Sequence, residues 1–447
     1  MSLSKTLRAV LGATACTAAL SAGAMAQSTE DLEERLAALE AMVAELRTEL
    51  EEARGQNAEM GDRVVRLETR EPAQVTAAAS PAGNGFRAGN TTITYGGFID
   101  VDAHVTDVSD GDIAPNSIAR DFYIPGAIPV GGTGDSEADV DFTAQGSRFF
   151  FATNTPTEQG AITSRLEFDF LGSPGGNERV SNSYNPRLRV AWAQMGNWRV
   201  GQDWSTFQNT AAIPESASFL AASDGMVFVR QAQVRYTQGN FQLSLENPDT
   251  TVTPFGGGGR LNMGDGALPD AVARYNFRGE GRNIALTGLV RRLVAQGNGI
   301  DGEALGWGIS VQGRQSIGAN TDLRFSLTGG EGVGRYIGLN AVNGAVATAT
   351  GDIEPIPVIG GLVAVRHSFG ENNNRFNLGV SMLQADNDVA LTGMGATSEV
   401  RSVFGALMIP LSPGVTLGTE LLFGERELES GTSGSITRAT ISTKYTF

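Results

Sequence analysis

Two hydrophobic periods divide the chain. Between residues 31 and 71, Leu32, Leu39, Leu46, Ala53, Met60 and Leu67 form one row at seven-residue spacing. Leu36, Val43, Leu50 and Val64 form a second, in which Asn57 is the single polar member. This is the a/d seam of an α-helical coiled coil, a narrow stripe better suited to a partner helix than to burial on a globular body. Asn57 at an a position sets the register. The pattern leaves dimer and trimer open. Thirteen acids and six arginines between Glu30 and Glu71 cover the remaining faces. Pro72 ends the helix, and the Ala-, Gly-, Pro- and Asn-rich stretch over 72–92 reads as a flexible linker.

From residue 93 the period falls to two. Ile93, Tyr95, Ile99, Val101, Ala103 and Val105 alternate with Thr94, Asp100, Asp102, His104 and Thr106. Similar alternation recurs at 140–154, 160–171, 186–196, 197–204, 226–237, 240–247, 270–279, 282–294, 305–316, 321–330, 357–369, 374–386, 398–410, 414–425 and 436–447. That makes sixteen strands, each near the ~10 residues that cross a bilayer when tilted. Connections after odd strands are long: 108–139, 172–185, 205–225, 248–269, 295–304, 331–356, 387–397 and 426–435. Those after even strands are short, as at 155–159, Gln238-Gly239, Glu280-Gly281, 317–320 and 411–413. A membrane barrel alternates its connections in this way, with turns on the periplasmic side and loops outside. The pattern therefore predicts an all-β transmembrane barrel of 16 antiparallel strands over 93–447, preceded by the N-terminal coiled coil over 27–71. The strand ending in Ile441, Thr443, Tyr445 and Phe447 carries outward aromatics of the kind that form an interfacial girdle, and the terminal Phe resembles the assembly signal of outer-membrane proteins.

The N-terminus gives the compartment. Lys5 and Arg8 precede the apolar stretch from Ala9 to Leu20 and the small-x-small site Ala24-Met25-Ala26, which together read as a secretory signal over 1–26. Cys16 is the only cysteine and lies inside that segment; Ala13, three positions earlier, does not fit a lipoprotein signal. The mature chain thus has no disulfide, and closure of the sheet is its substitute. The expected location is the outer membrane of a Gram-negative bacterium, with the coil in the periplasm and lipid or lipopolysaccharide around the wall. A net charge of −16 excludes nucleic acid as a partner.

Of 33 basic residues only Lys5 and Lys444 are lysines. If apolar strand positions face lipid, Arg165, Arg187, Arg189, Arg199, Arg235, Arg274, Arg278, Arg314 and Arg324 face the lumen. A charge on the lipid side near midplane would cost ~2–4 kcal/mol. In 160–171 the count places Ile162, Leu166, Phe168 and Phe170 outside; in 186–196 it places Leu188, Val190 and Trp192 outside. Guanidinium groups grip carboxylates in a two-pronged fork and stay charged, so such a lumen should favour small anions. The competing reading is a structural network in which Asp100, Asp102, Glu167, Asp169 or Glu420 neutralise the arginines. The barrel segment holds 24 basic and 36 acidic residues, so total charge does not decide between them. Asp110, Asp112, Asp135, Glu137, Asp352 and Glu354 fall in outer loops, where they bind divalent cations or simply solvate. The loop 205–225 is too apolar for a solvated one and is expected to fold into the pore as a constriction, with Phe207 in it and Glu215 and Asp224 facing the arginine wall; packing as an outer lid is the alternative.

Several stretches resemble the DcaP-type trimeric porins: Asn197-Trp-Arg-Val-Gly-Gln-Asp-Trp-Ser-Thr-Phe207, Ile213-Pro-Glu215, Gly225-Met-Val-Phe-Val-Arg-Gln231, Leu245-Glu-Asn-Pro248 and Tyr95-Gly-Gly-Phe-Ile-Asp100. The resemblance implies a sixteen-stranded homotrimer with a periplasmic coiled coil that passes dicarboxylates and other small anions. It implies no cofactor. The two histidines, His104 and His367, have no evident nucleophile beside them, so no enzyme is expected, and the glycine clusters 256–259 and 329–334 read as turns. A structural or adhesive protein linking the membrane to the cell wall is the alternative function.

Overall fold

The computed structural model describes residues 85–447 apart from 116, 133–136, 173–181, 264, 265 and 267. The signal segment, the coiled coil and most of the linker lie outside the described residues. The strands of the wall are β1 Thr91–Val108, β2 Asp139–Thr143 continued by Arg148–Thr157, β3 Gly160–Asp169, β4 Arg187–Met195, β5 Trp198–Trp204, β6 Arg230–Gln238, β7 Phe241–Glu246 and β8 Asp270–Gly279. The other half of the wall is β9 Arg282–Gly297, β10 Ile300–Ile317, β11 Thr321–Glu331, β12 Pro357–Phe369, β13 Asn374–Ala385, β14 Thr397–Ser412, β15 Val415–Leu428 and β16 Ser433–Thr446. Each strand pairs antiparallel with its chain neighbours, and β16 returns to β1 with Ile99 opposite Tyr445 and Val105 opposite Ala439. The ring is closed, so none of the sixteen has a free edge. A short strand, Gly85–Ala88, folds back on Thr91–Thr94, which brings the start of the sheet into the stretch read as linker.

The wall is inverted relative to a soluble domain. Ile99, Val101 and Val105 of β1, Leu243 and Leu245 of β7, and Leu378, Val380 and Met382 of β13 are exposed on its outer face. Their alternate partners Asp100, Asp102, His104, Ser244, Asn377 and Ser381 are buried inside. Near the short-turn end Trp198, Phe241, Tyr275, Phe277, Phe376 and Tyr445 stand exposed on the outside, a girdle that continues in Trp307 towards the other end.

Two of the predicted long loops are tight turns. β9 and β10 run on to Asn298-Gly299, whose φ angles of +54° and +79° suit a two-residue hairpin. β15 and β16 likewise extend until only residues 429–432 separate them. The alternation persists in β9 and β10 with its inner face turned apolar: Leu293, Ala295 and Ile300 bury against Val252, Met263, Ala345, Ala347 and Ile353. These belong to a small four-stranded sheet (Thr250–Thr253, Leu261–Met263, Ala345–Ala347, Ile353–Pro355) that two loops build at the long-loop end.

Candidate functional site

Residues 205–229 leave β5 and reach β6 through the interior of the barrel. Its turns are tied to six strands of the wall. Thr287 of β9 and Gln312 of β10 both donate to the Phe207 carbonyl, at 3.2 and 2.9 Å. Arg274 of β8 donates to the Gln208 carbonyl at 2.7 Å, and Arg324 of β11 donates to that of Ile213. Arg375 of β13 forks onto Glu215 at 2.9 Å. Glu420 of β15 accepts from the Ala217 amide at 2.9 Å and the Ser218 hydroxyl at 2.6 Å. Ser381 of β13 accepts from the Gly225 amide at 2.8 Å. At Gly225 an added Cβ would lie 2.2 Å from the Gly361 carbonyl oxygen and 2.4 Å from that of Met382, so only glycine lets the loop close on the wall here.

Phe207, expected in the constriction, is fully buried and meets Tyr336 edge-on at 5.8 Å; it anchors the loop instead of lining the opening. Glu215 meets an arginine as expected. Burial raises its carboxyl, but Arg375, with Arg366 and Arg324 beyond it, outweighs burial and holds it below the ordinary carboxylate range. Asp224 faces no arginine. It accepts from Tyr123 Oη at 2.6 Å and from the Ser402 hydroxyl, and burial without a counter-charge pushes it up to about 6. Tyr123, on the loop after β1, is itself raised by burial and by Asp224.

The wall from β2 to β6 holds the densest charge. A bulge falls between Glu167 and Phe168 of β3, where Glu167 pairs Val190 and Phe168 pairs Leu188, leaving Arg189 as the extra residue. The extra residue reverses the alternation beyond it. Val190 and Trp192 therefore point inward, opposite Glu167 and Arg165, which corrects their expected outward placement. Trp192 then carries Arg199, whose guanidinium carbon lies 4.0 Å from the ring centre. Arg165 lies 3.9 Å over the inward ring of Phe150.

The arginines divide into sealed ones and ones that stay partly exposed to the lumen. Arg189 is 1% exposed, bonded to Glu167 at 2.9 Å and Asp169 at 2.7 Å; it is a structural ion pair that no solute reaches. Arg199 and Arg235 share Asp203, at 2.5 and 3.6 Å, and are buried, as are Arg274 and Arg324. Arg187 grips Asp169 at 2.8 Å with both prongs while its side chain stays 25% exposed. Arg165 binds Glu167 at 2.8 Å and is 33% exposed. On the opposite wall Arg314 is partly exposed, and its Nε has no hydrogen-bond partner among the described residues. Arg324 and Arg366 both hold Asp322, at 2.9 and 2.7 Å.

Sequence reasoning did not single out Arg148, Arg230, Arg366 and Arg375. Arg366 follows the outward Val363 and Val365, so period two already placed it inside. Arg148 opens the second segment of β2 and Arg230 opens β6. Phe219 was not singled out either. It projects from the infolded loop into the arginines, with the guanidinium carbons of Arg189, Arg148 and Arg187 at 5.5, 5.9 and 6.0 Å from its centre.

Comparison with known proteins agrees with this architecture. The family model described as DcaP outer membrane protein matches residues 71–447. The crystal structure of the outer membrane channel DcaP of Acinetobacter baumannii superposes with a TM-score of 0.67 at 20% identity, covering 81% of this chain and 100% of that one. An anion-selective porin from Comamonas acidovorans gives 0.49 at 13% identity over 80% of this chain and 100% of its own. OmpT of Vibrio cholerae gives 0.48 at 9% identity over 81% and 100%. No curated protein matches the sequence.

Proposed function

The chain belongs to the DcaP outer membrane protein family, and from that premise we propose that this outer-membrane porin passes small anions, dicarboxylates among them, by passive diffusion. The observation that carries the reading is the charge balance of the wall from β2 to β6. Among the described residues, the five guanidiniums of Arg148, Arg165, Arg187, Arg189 and Arg230 face three carboxylates, Glu167, Asp169 and, at Arg148, Asp100, so positive charge is in excess beside the infolded loop. A low-dielectric wall concentrates that field in the opening, and guanidinium forks replace part of a carboxylate's hydration as it passes. Stacking on Phe150 and Trp192 holds Arg165 and Arg199 flat, so their orientation survives the traffic. Membership in a family of channels also argues against catalysis. The working unit of the proposal is a homotrimer joined by the coiled coil over 27–71, in the periplasm, and by barrel walls set in lipid and lipopolysaccharide.

The test is the reversal potential of the purified protein in a planar bilayer under a potassium chloride gradient, repeated with potassium succinate. Anion selectivity with succinate permeation supports the proposal. Cation selectivity overturns it, and absence of conductance turns the assignment to a structural or adhesive protein.

A further inference from the structure

Two hollows interrupt the outer, lipid-facing side of the wall. One, of about 790 Å³, lies over β5–β10 with Ala271, Ala273 and Gly288 as its floor and Leu243, Val290 and Trp307 around it. The other, of about 750 Å³, lies over β10–β13 with Gly329 as its floor and Ile309, Leu327 and Ile359 around it. The floors belong to one cross-strand row: Ala273 stands opposite Gly288, Gly288 opposite Ile309, and Ile309 opposite Gly329. Ile309 and Trp307 line both hollows and form the ridge between them. The backbone does not require either glycine. Neither has a positive φ; a Cβ at Gly288 would meet nothing within 4 Å, and one at Gly329 only the Val358 carbonyl oxygen at 3.9 Å. Glycine inside a strand weakens it and, where no bend needs it, marks the close approach of another molecule.

The ridge ends beneath a cation. Val290 pairs with Trp307, and the next outward pair towards the long-loop end is Arg292 with Leu305. Glu303 of β10 holds Arg292 through Nε and Nη2, while Nη1 makes no bond among the described residues. The two side chains are 40% and 51% exposed, and a charge on the lipid side belongs at headgroup depth. We infer that the hollows seat the acyl chains of one phosphorylated, multiply acylated glycolipid of the outer leaflet, with chains on either side of the Trp307–Ile309 ridge and a phosphate on Arg292. Phosphate suits the guanidinium fork, and an exposed ion pair such as that with Glu303 yields readily to a doubly charged oxyanion. A second barrel fits worse, because a convex wall cannot enter two troughs parted by a ridge, whereas flexible chains fill both. The inference uses the membrane placement of the wall and is independent of anion selectivity in the lumen.

The test titrates the full-length protein, in mild detergent, with diphosphorylated lipid A and in parallel with phosphatidylglycerol, and counts the lipid retained per chain by native mass spectrometry. One lipid A per chain is expected to survive detergent exchange, whereas phosphatidylglycerol is lost. Gly288→Leu and Gly329→Leu fill one hollow each and, as no neighbour crowds either site, keep the wall folded. Each should raise the half-saturating lipid A concentration about tenfold or more, since it displaces several acyl methylenes. Arg292→Gln should raise it about fivefold or more by removing the phosphate's charged partner. Gly405→Leu, at an equally open outward position on β14 outside the hollows, should leave it within about twofold. Equal retention of the two lipids, or a half-saturating concentration unmoved by both leucine variants, overturns the inference. A leucine variant that loses its oligomeric state assigns the hollows to a second copy of the chain and overturns it as well. The channel reading is decided separately by reversal potential, so either can fail alone.

Discussion

Asp224→Asn isolates the one carboxyl of the infolded loop that is held without a cation. The side chain is fully buried and is bonded by the Tyr123 and Ser402 hydroxyls, and burial raises it to about 6. The sign follows from linkage. A carboxyl raised above its unfolded value of about 3.9 favours the closed loop while it is protonated; that contribution is complete below the unfolded value and is lost as pH rises through about 6. A shift of about two units corresponds to roughly 3 kcal/mol, or a change on the order of 100-fold in the opening equilibrium of the loop. Asparagine keeps the shape and an acceptor oxygen, and hydroxyl rotors can turn to meet its amide. Hydrogen exchange of residues 205–229, corrected for intrinsic chemistry, reads the opening equilibrium directly. In the unmodified protein, protection of the Asp224 end should fall between about pH 4 and about pH 6.5, whereas Asp224→Asn should be flat over that interval. An equally steep decline in the variant would show that some other group controls the loop.

Three further changes address the same loop and its seat. Glu215→Gln removes a carboxylate held low by Arg375, so the loop loses a contact that is present above the unfolded value near 4.3 and disappears as pH falls through the depressed one; succinate permeability should rise as Arg375 is freed, and an unchanged reversal potential would count against that link. Phe207→Ala empties a fully buried aromatic site and should cost about 3–5 kcal/mol in the loop's docking, seen as lost exchange protection over 205–213; protection equal to the parent would refute the anchor. Gly225→Ala forces a methyl into the Gly361 and Met382 carbonyls and should displace the loop, widening single-channel conductance without altering the folding of the wall; parental conductance would mean the loop tolerates the shift.

How much of this was legible depends on how many residues share one decision. Sixteen strands were readable because each outward position must be apolar in lipid and each inward one sits against water or charge, so alternation repeats the same choice many times over. It misled at single events. One extra residue at Arg189 turned Trp192 and Val190 inward, and nothing in Leu188-Arg-Val-Ala-Trp192 announces a bulge, since both parities put apolar residues at plausible places. The heights of the β9–β10 and β15–β16 hairpins were missed because the inner face turns apolar where loops pack into the mouth, which looks like the end of a membrane strand. The arginines could be assigned to the lumen one by one, but their chemistry depends on neighbours across the sheet. Arg187 and Arg189 sit two apart on one strand, yet one stays open to the pore and the other is sealed under Glu167 and Asp169. Pairing distance, not residue type, thus separates a guanidinium sealed into the wall from one that stays open to the lumen.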